Sequence, residues 1–343
     1  MNNMTLRENM DCRLLCASAI VYSVDLKGEF NKPDGGDNGI LYNHMKVIGT
    51  PVPFTNDAYA LDRKIDAALL IEIETGYILA FRGTLPFSTK GEPLALVEDW
   101  TEDIGEINLV GGDGLPGKIH EGFYNAFSAI WNHKILPHLI SLKLTTSKPL
   151  YITGHSKGGP MASYAAYRCL KEGLPLGGVT SFASPYPGDS VFAKAFDEYL
   201  VEYNMVQMRY EYHLDAVPFV PPTTSTLKIW IKEIDQILEL VRHLNSGLSQ
   251  VLEDLAIAFK SLEKLDYHHV GSLKYINKKF RIETDSAALE IRRVQQFKRA
   301  LSIMHFISGI KAIGDAHSIF YGGGYQRGAC PNLPVDLLAH KVE

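Results

Sequence analysis

Cysteine is scarce in this sequence. Only four stand among 343 residues, at positions 12, 16, 169 and 330. That is too few and too scattered for the disulfide framework of a small secreted domain. All four are expected to be reduced thiols, since a bridge between Cys12 and Cys16, on consecutive turns of a helix, would constrain little. Long apolar runs are missing as well. No uninterrupted stretch approaches the ~18 to 20 residues of a membrane-spanning helix. Leu14 to Val24, the one N-terminal segment with some likeness to a signal peptide, follows Glu8 and Asp11 and has too short an apolar core. The expected location is therefore cytoplasmic or otherwise intracellular, with secretion by a non-standard route as the alternative. An excess of basic charge is also absent: 34 Lys and Arg against 39 Asp and Glu give a formal net charge of −5. A nucleic-acid partner is excluded on that balance. With 46% hydrophobic residues, 21% charged, 29 glycines and 17 prolines, what remains is the composition of an ordinary globular protein, neither collagen-like nor disordered.

The pattern along the chain alternates strands and helices. Met4 to Val24 reads as one amphipathic helix, and Asn31 to Gly39 (NKPDGGDNG) as a surface loop. Ala67 to Glu74, the turn Thr75-Gly76 and Tyr77 to Arg82 read as paired antiparallel strands. Lys148 to Thr153 is a strand that stops at Gly154-His155-Ser156-Lys157-Gly158-Gly159 and is followed by helical composition over Met161 to Leu170. Val179 to Ala183 and Val206 to Tyr212 are further strands. This alternation predicts an α/β fold with a largely parallel central sheet flanked by helices. Past Pro221-Pro222, Leu227 to Leu244 and Leu248 to Leu265 carry apolar residues at helical spacing around Asn245-Ser246-Gly247, which predicts a helical hairpin. A third helical pattern runs from about Ser286 to Ile313.

Gly154-x-Ser156-x-Gly158, between a strand and a helix, is a nucleophile-elbow pattern: a tight turn that lifts a serine hydroxyl above the sheet edge. A serine hydroxyl needs a base within hydrogen-bond reach and a carboxylate to orient that base. Asp189 and Asp215 are the carboxylates at strand ends. Asp215 is the better placed, while Asp189 suits the cap of a helix starting near Ser190. His213, His268, His269 and His317 compete as base, and spacing alone does not choose among them. His213 lies close along the strand to Asp215, and His317 has the late loop position usual for such a base.

The ordered blocks Phe81-Arg82-Gly83-Thr84, Asp99 to Ile104, His120-Glu121-Gly122-Phe123, Gly154 to Gly159, Phe182-Ala183-Ser184-Pro185, Asp215-Ala216-Val217-Pro218 and Asp315-Ala316-His317 resemble the class 3 lipase family of fungal-type triacylglycerol lipases. The resemblance runs from about Ala67 to Tyr321, apart from the helical hairpin. It implies a single α/β-hydrolase domain over 1–343, with Ser156 as nucleophile, Asp215 as orienting carboxylate and His317 as base. It also implies an oxyanion hole formed by Thr84 and the backbone amide of Lys157. His269 matches a block in which the histidine is structural, and His120 is expected to be a hydrogen-bonded core residue. Residues 85–100 match the family's lid, with Leu85, Phe87 and Trp100 contributing apolar, substrate-facing surface.

Two departures stand out. Lys157 puts a cation where fungal members commonly have an apolar residue, either to favour anionic groups or simply to point into solvent. Residues 225–266 form an insertion expected to cap the active-site mouth. The activity implied is that of a serine carboxylester hydrolase, a triacylglycerol lipase acting on lipid or ester substrates with transient contact at a lipid interface and no metal or organic cofactor. Phospholipase A1 or soluble-ester esterase activity is the alternative, and a non-catalytic scaffold the remoter one.

Overall fold

The computed structural model describes residues 3–56, 66–83, 108–213, 215–221, 265–284, 286–301, 316–320 and 322–333, together with a few single positions between 223 and 253. Its strands are β1 (Val47–Thr55), β2 (Ala67–Ile73), β3 (Gly76–Phe81), β4 (Leu109–Val110), β5 (Ile119–His120), β6 (Leu150–His155), β7 (Leu176–Phe182), β8 (Gly188–Asp189), β9 (Met208–Tyr212), β10 (Tyr267–His268), β11 (Ser272–Ile276) and β12 (Ile282–Thr284). The helices are α1 (Asn3–Ile20), α2 (Gly36–Met45), α3 (Glu121–Ile130), α4 (Leu136–Ser141), α5 (Gly158–Lys171), α6 (Ser190–Glu202), α7 (Ala287–Leu301) and α8 (Gly324–Ala329).

The main sheet runs in the order β1-β2-β3-β6-β7-β9-β11-β12. Its middle, β3, β6, β7, β9 and β11, is parallel. Strands β1, β2 and β12 add antiparallel edges. The largely parallel sheet read from the sequence is thus the centre of a mixed one. A small antiparallel sheet, β10-β8-β5-β4, lies apart. Strand β1 escapes the sequence reading because Gly49, Pro51 and Pro53 break its pattern. As an edge strand it tolerates prolines that a central strand could not.

Both faces of the sheet are covered, so alternate residues of one strand serve different cores. Ala68 and Leu70 of β2 and Leu79 and Phe81 of β3 join Phe127, Trp131 and the α5 residues Ala162, Ala165 and Ala166. Leu69, Ile71, Ile78 and Ala80 join Leu15, Ala19, Leu41, Met45 and Tyr325 on the other side. The layers are therefore helix, sheet, helix.

Two sequence expectations change here. The C-terminal half of α1 is not amphipathic: Leu14 to Val21 is buried throughout, because the segment lies under the sheet and beside α2 and α8. Its polar groups are satisfied inside, with Asp11 accepting from Thr180 and Tyr210 at 2.9 and 2.8 Å and Ser18 bonded to Thr153 at 2.8 Å. The loop expected over 31–39 ends at Gly36, where α2 begins. Asp37 sits in its first turn, and Leu41, Tyr42 and Met45 form its buried face.

The expectation of four reduced cysteines is corrected. Cys12 of α1 and Cys330, just past α8, form a disulfide with Cα atoms 4.9 Å apart across 318 residues of sequence. Folding brings the two ends of the chain together beneath the sheet, a juxtaposition that spacing along the sequence does not encode. Cys16 and Cys169 are free and buried.

Of the insertion, Lys228, Lys232, Asp235, Glu239 and Glu253 are helical. The hairpin pairing and the cap over 225–266 otherwise lie outside the described residues, as does the third helical pattern beyond Leu301 up to Asp315.

Candidate active site

Strand β6 ends at His155 and helix α5 begins at Gly158, leaving only Ser156 and Lys157 to turn the chain. Ser156 takes φ +54°, a left-handed conformation rare for a residue with a side chain. The turn is held by Ser156 N–H donating to Phe182 O at 3.0 Å and Gly159 N–H to Ser156 O at 2.8 Å. Glycine is obligatory on both sides. A Cβ at Gly154 would lie 1.9 Å from Gly158 O, and one at Gly158 would lie 2.2 Å from Phe81 O. The strained serine thus stands at the C-terminal edge of the parallel strands, where open α/β sheets place their sites.

Asp215 follows β9, the second strand along the sheet from β6. Its buried carboxylate accepts from Val217 N at 3.0 Å through Oδ1 and from Tyr325 OH at 2.6 Å through Oδ2. His317 Nδ1 lies 3.0 Å from Oδ2 and 3.2 Å from Oδ1. A carboxylate so placed only accepts, so Nδ1 carries the proton and the ring's lone pair falls on Nε2. The structure pairs His317 with Asp215. Asp189 instead caps α6, accepting from Phe192 N at 2.7 Å.

His155, overlooked among the candidate histidines, links the two halves of the site. Its Nε2 is 2.8 Å from the backbone carbonyl of His317 and its Nδ1 2.8 Å from Tyr22 OH. The carbonyl accepts, so Nε2–H donates, and Tyr22 OH then donates to Nδ1. Burial, and secondarily the nearby His317, hold the His155 pKa well below the ordinary imidazole value, which fits this neutral tautomer. The residue before Ser156 thereby anchors the main chain of His317, and the two imidazole centroids are 4.6 Å apart.

The remaining histidines stay out of this arrangement. His213 lies 3.3 Å from Tyr275 OH. His268 is exposed and bonds Asp266 at 2.9 Å. His269 is half-buried and stacks on Tyr186 at 3.8 Å. His120 is buried at the start of α3, where it accepts from Phe123 N at 3.3 Å.

The end of β3 closes the site on another side. A Cβ on Gly83 would fall 2.8 Å from Ser156 Cβ, so the Phe81-Arg82-Gly83 strand end abuts the serine. Buried Arg82 donates to Val24 O at 2.7 Å and fixes this corner to the end of α1's segment. Thr84, Leu85, Phe87 and Trp100, with the lid over 85–100, lie outside the described residues. Lys157 occupies the N-cap of α5, where backbone N–H groups lack partners within the helix. Its side chain neither points into solvent nor offers a lone cation: Nζ pairs with Asp66 Oδ1 at 2.6 Å, with side chains only 15% and 12% exposed. Asp66, Tyr22, His155 and Tyr325 were not picked out from the sequence. Only His155 carried a local signal, its place inside the elbow.

A family model described as lipase (class 3) matches residues 78–225. Lipase ZK262.3 of Caenorhabditis elegans is 28% identical over 152 residues, 43% of this chain and 39% of its own length. A Rhizomucor miehei lipase is 25% identical over 182 residues, 52% of this chain and 45% of its own. The chain thus spans less than half the length of these two relatives. The crystal structure of a lipase from Rhizopus microsporus var. chinensis superposes with TM-score 0.51 at 16% identity, covering 87% of each chain, which shows the α/β-hydrolase fold. The matched segment holds the elbow, the β3 end and the Asp215 turn, and over that segment this chain is similar to the class 3 lipase family.

Proposed function

We propose that this protein is a serine carboxylester hydrolase, a triacylglycerol lipase working through an acyl-enzyme. The observation that carries the reading is the His317–Asp215 pair, whose geometry leaves the imidazole lone pair on Nε2, with His155, the neighbour of Ser156 on its strained elbow, bonded to the main chain of His317. Ser156 Oγ attacks the ester carbonyl carbon while His317 Nε2 takes the hydroxyl proton, and Asp215 stabilises the imidazolium. The tetrahedral oxyanion is met by the Lys157 backbone N–H and by Thr84. Each such donor contributes on the order of 3 kcal/mol to the transition state. Collapse breaks the bond to the alcohol, which leaves with the proton from His317. Water, deprotonated by the same imidazole, then releases the fatty acid. No step calls for a metal or organic cofactor.

Acylglycerols are the preferred substrates in this reading. Residues 85–100 act as a lid whose apolar side chains, Leu85, Phe87 and Trp100 among them, turn toward lipid on opening. Residues 225–266 cap the mouth. The half-buried Lys157–Asp66 pair favours neutral esters over anionic ones, because the cation beside the serine is already neutralised.

The test compares wild type with Ser156→Ala on a soluble short-chain ester and on emulsified long-chain triacylglycerol, with fluorophosphonate labelling alongside. Cleavage of the emulsion by wild type and its loss in the variant upholds the lipase reading. Cleavage of the soluble ester alone makes the protein an esterase. Equal activity in the variant, or no labelling of Ser156, overturns the mechanism.

A further inference from the structure

Three of the four cysteines meet at one place. The Sγ atoms of Cys12, Cys16 and Cys330 all lie within 4.8 Å of one another, and all three residues are buried. Cys12 and Cys16 are one turn apart on α1 and so share a face of the helix. Cys330 arrives from the end of α8, and His44, in the last turn of α2, brings its Nε2 to 3.2 Å from Cys12 Sγ. The disulfide uses two of these four groups. It does not account for a third sulfur and an imidazole gathered at the same point from separate elements.

We propose that in the reduced chain Cys12, Cys16, Cys330 and His44 bind one zinc-type divalent ion, as an alternative to the Cys12–Cys330 disulfide. Three thiolates and one imidazole nitrogen are a donor set of structural zinc sites. Tetrahedral zinc, with Zn–S near 2.3 Å, holds its sulfurs about 3.8 Å apart, inside the span these sulfurs already occupy. The steps balance. A dithiol reductant gives two electrons and two protons to the disulfide, yielding two thiols, and departs as its own disulfide. The divalent ion then displaces the three thiol protons, and His44 coordinates as neutral imidazole through Nε2. The site carries one net negative charge, opposed by Arg13 and Lys46, whose charges both act at His44.

The function follows from what the site ties together. In either form α1 is fastened to the C-terminal segment holding Tyr325, which donates to Asp215. An oxidising compartment would supply the disulfide and a reducing one the metal, so the catalytic carboxylate keeps its support in both.

The full-length protein, reduced with a phosphine under inert gas, is titrated with Co²⁺ and then Zn²⁺. Saturation at one equivalent is expected, with sulfur-to-cobalt charge-transfer and tetrahedral visible bands that zinc abolishes. Oxidised wild type takes up none. Cys16→Ser still forms the Cys12–Cys330 disulfide on oxidation, read by intact mass, which shows that its fold is sound. Disturbing merely an outer-shell partner costs roughly 10- to 100-fold in metal affinity, so loss of the Cys16 ligand raises the Kd at least about tenfold. His44→Ala does the same. If reduced wild type shows no saturable uptake, or if both variants bind as wild type does, the proposal is overturned.

Discussion

Tyr325→Phe isolates one hydroxyl that serves two partners. That oxygen donates to Asp215 Oδ2 at 2.6 Å and accepts from Tyr212 N at 3.0 Å, and the residue is fully buried. Hydrogen bonds to a charged group are worth about 1.5–3 kcal/mol, and an orphaned buried N–H costs about 1–3 kcal/mol. Relaxation of the surroundings recovers part of this, leaving an expected loss of about 3 kcal/mol in unfolding free energy. Urea denaturation of wild type and variant measures it as a lower midpoint at unchanged slope. A second readout separates the role at the site from plain stability. Deprived of the tyrosine proton, the carboxylate concentrates its charge on His317 Nδ1–H and favours the imidazolium. The acid limb of kcat/KM on a soluble ester should therefore move to higher pH by roughly half a unit to one unit, where one unit corresponds to about 1.4 kcal/mol. A stability loss under about 0.5 kcal/mol together with an unmoved or downward-shifted limb would refute the reasoning.

Further expectations follow from other buried groups. His120 is held neutral by burial, its pKa pushed down from 6.5 to about 3. The unfolded chain takes up a proton below about pH 6.5 that the native state refuses until near 3, so stability is full above that window and falls as pH drops through it, by up to ~5 kcal/mol. His120→Asn should flatten that loss in urea titrations at pH 7, 5 and 4, and an equally steep decline in the variant would sink the idea. Glu211 lies buried between Arg209 and Arg293, so Glu211→Leu removes the buried carboxylate that both guanidiniums share and should cost about 3–5 kcal/mol by the same denaturation assay. A double-mutant cycle on Lys157→Met and Asp66→Asn should give about 1–3 kcal/mol of coupling, and additivity would mean that the pair is idle. Gly154→Ala, facing a 1.9 Å clash with Gly158 O, should abolish activity or soluble expression; a fully active variant would contradict the elbow geometry described above.

Local pattern and tight steric demand explain what the sequence made legible. The β2–β3 hairpin, β6, β7, β9, α5 and the Asp189 cap all rest on residues close together in the chain, as does the elbow, where two glycines and a strand-to-helix switch coincide. Strand β1 was hidden by its prolines, and α2 by the glycine cluster within which it begins. The supports of the site were hidden for a different reason. Tyr22 reaches His155 across 133 residues, Lys157 reaches Asp66 across 91 and Tyr325 reaches Asp215 across 110. Nothing in the neighbourhood of a tyrosine announces which distant carboxylate or imidazole it will meet. The neutralised Lys157 shows the difference most sharply, since a cation read beside the nucleophile becomes one partner of a half-buried ion pair only when the residue preceding β2 is folded against it.

The Cys12–Cys330 bond also changes what a cut in this chain means. It makes a covalent ring of everything between the two positions, so hydrolysis of any single peptide bond inside the ring, including one in the insertion, opens the ring without releasing a fragment. A nicked molecule remains one particle of unchanged mass apart from an added water, its serine and its histidine still joined through whichever arc is intact. It separates into two pieces only after reduction, so a protease acting on an exposed surface leaves the fold's two halves within reach of each other.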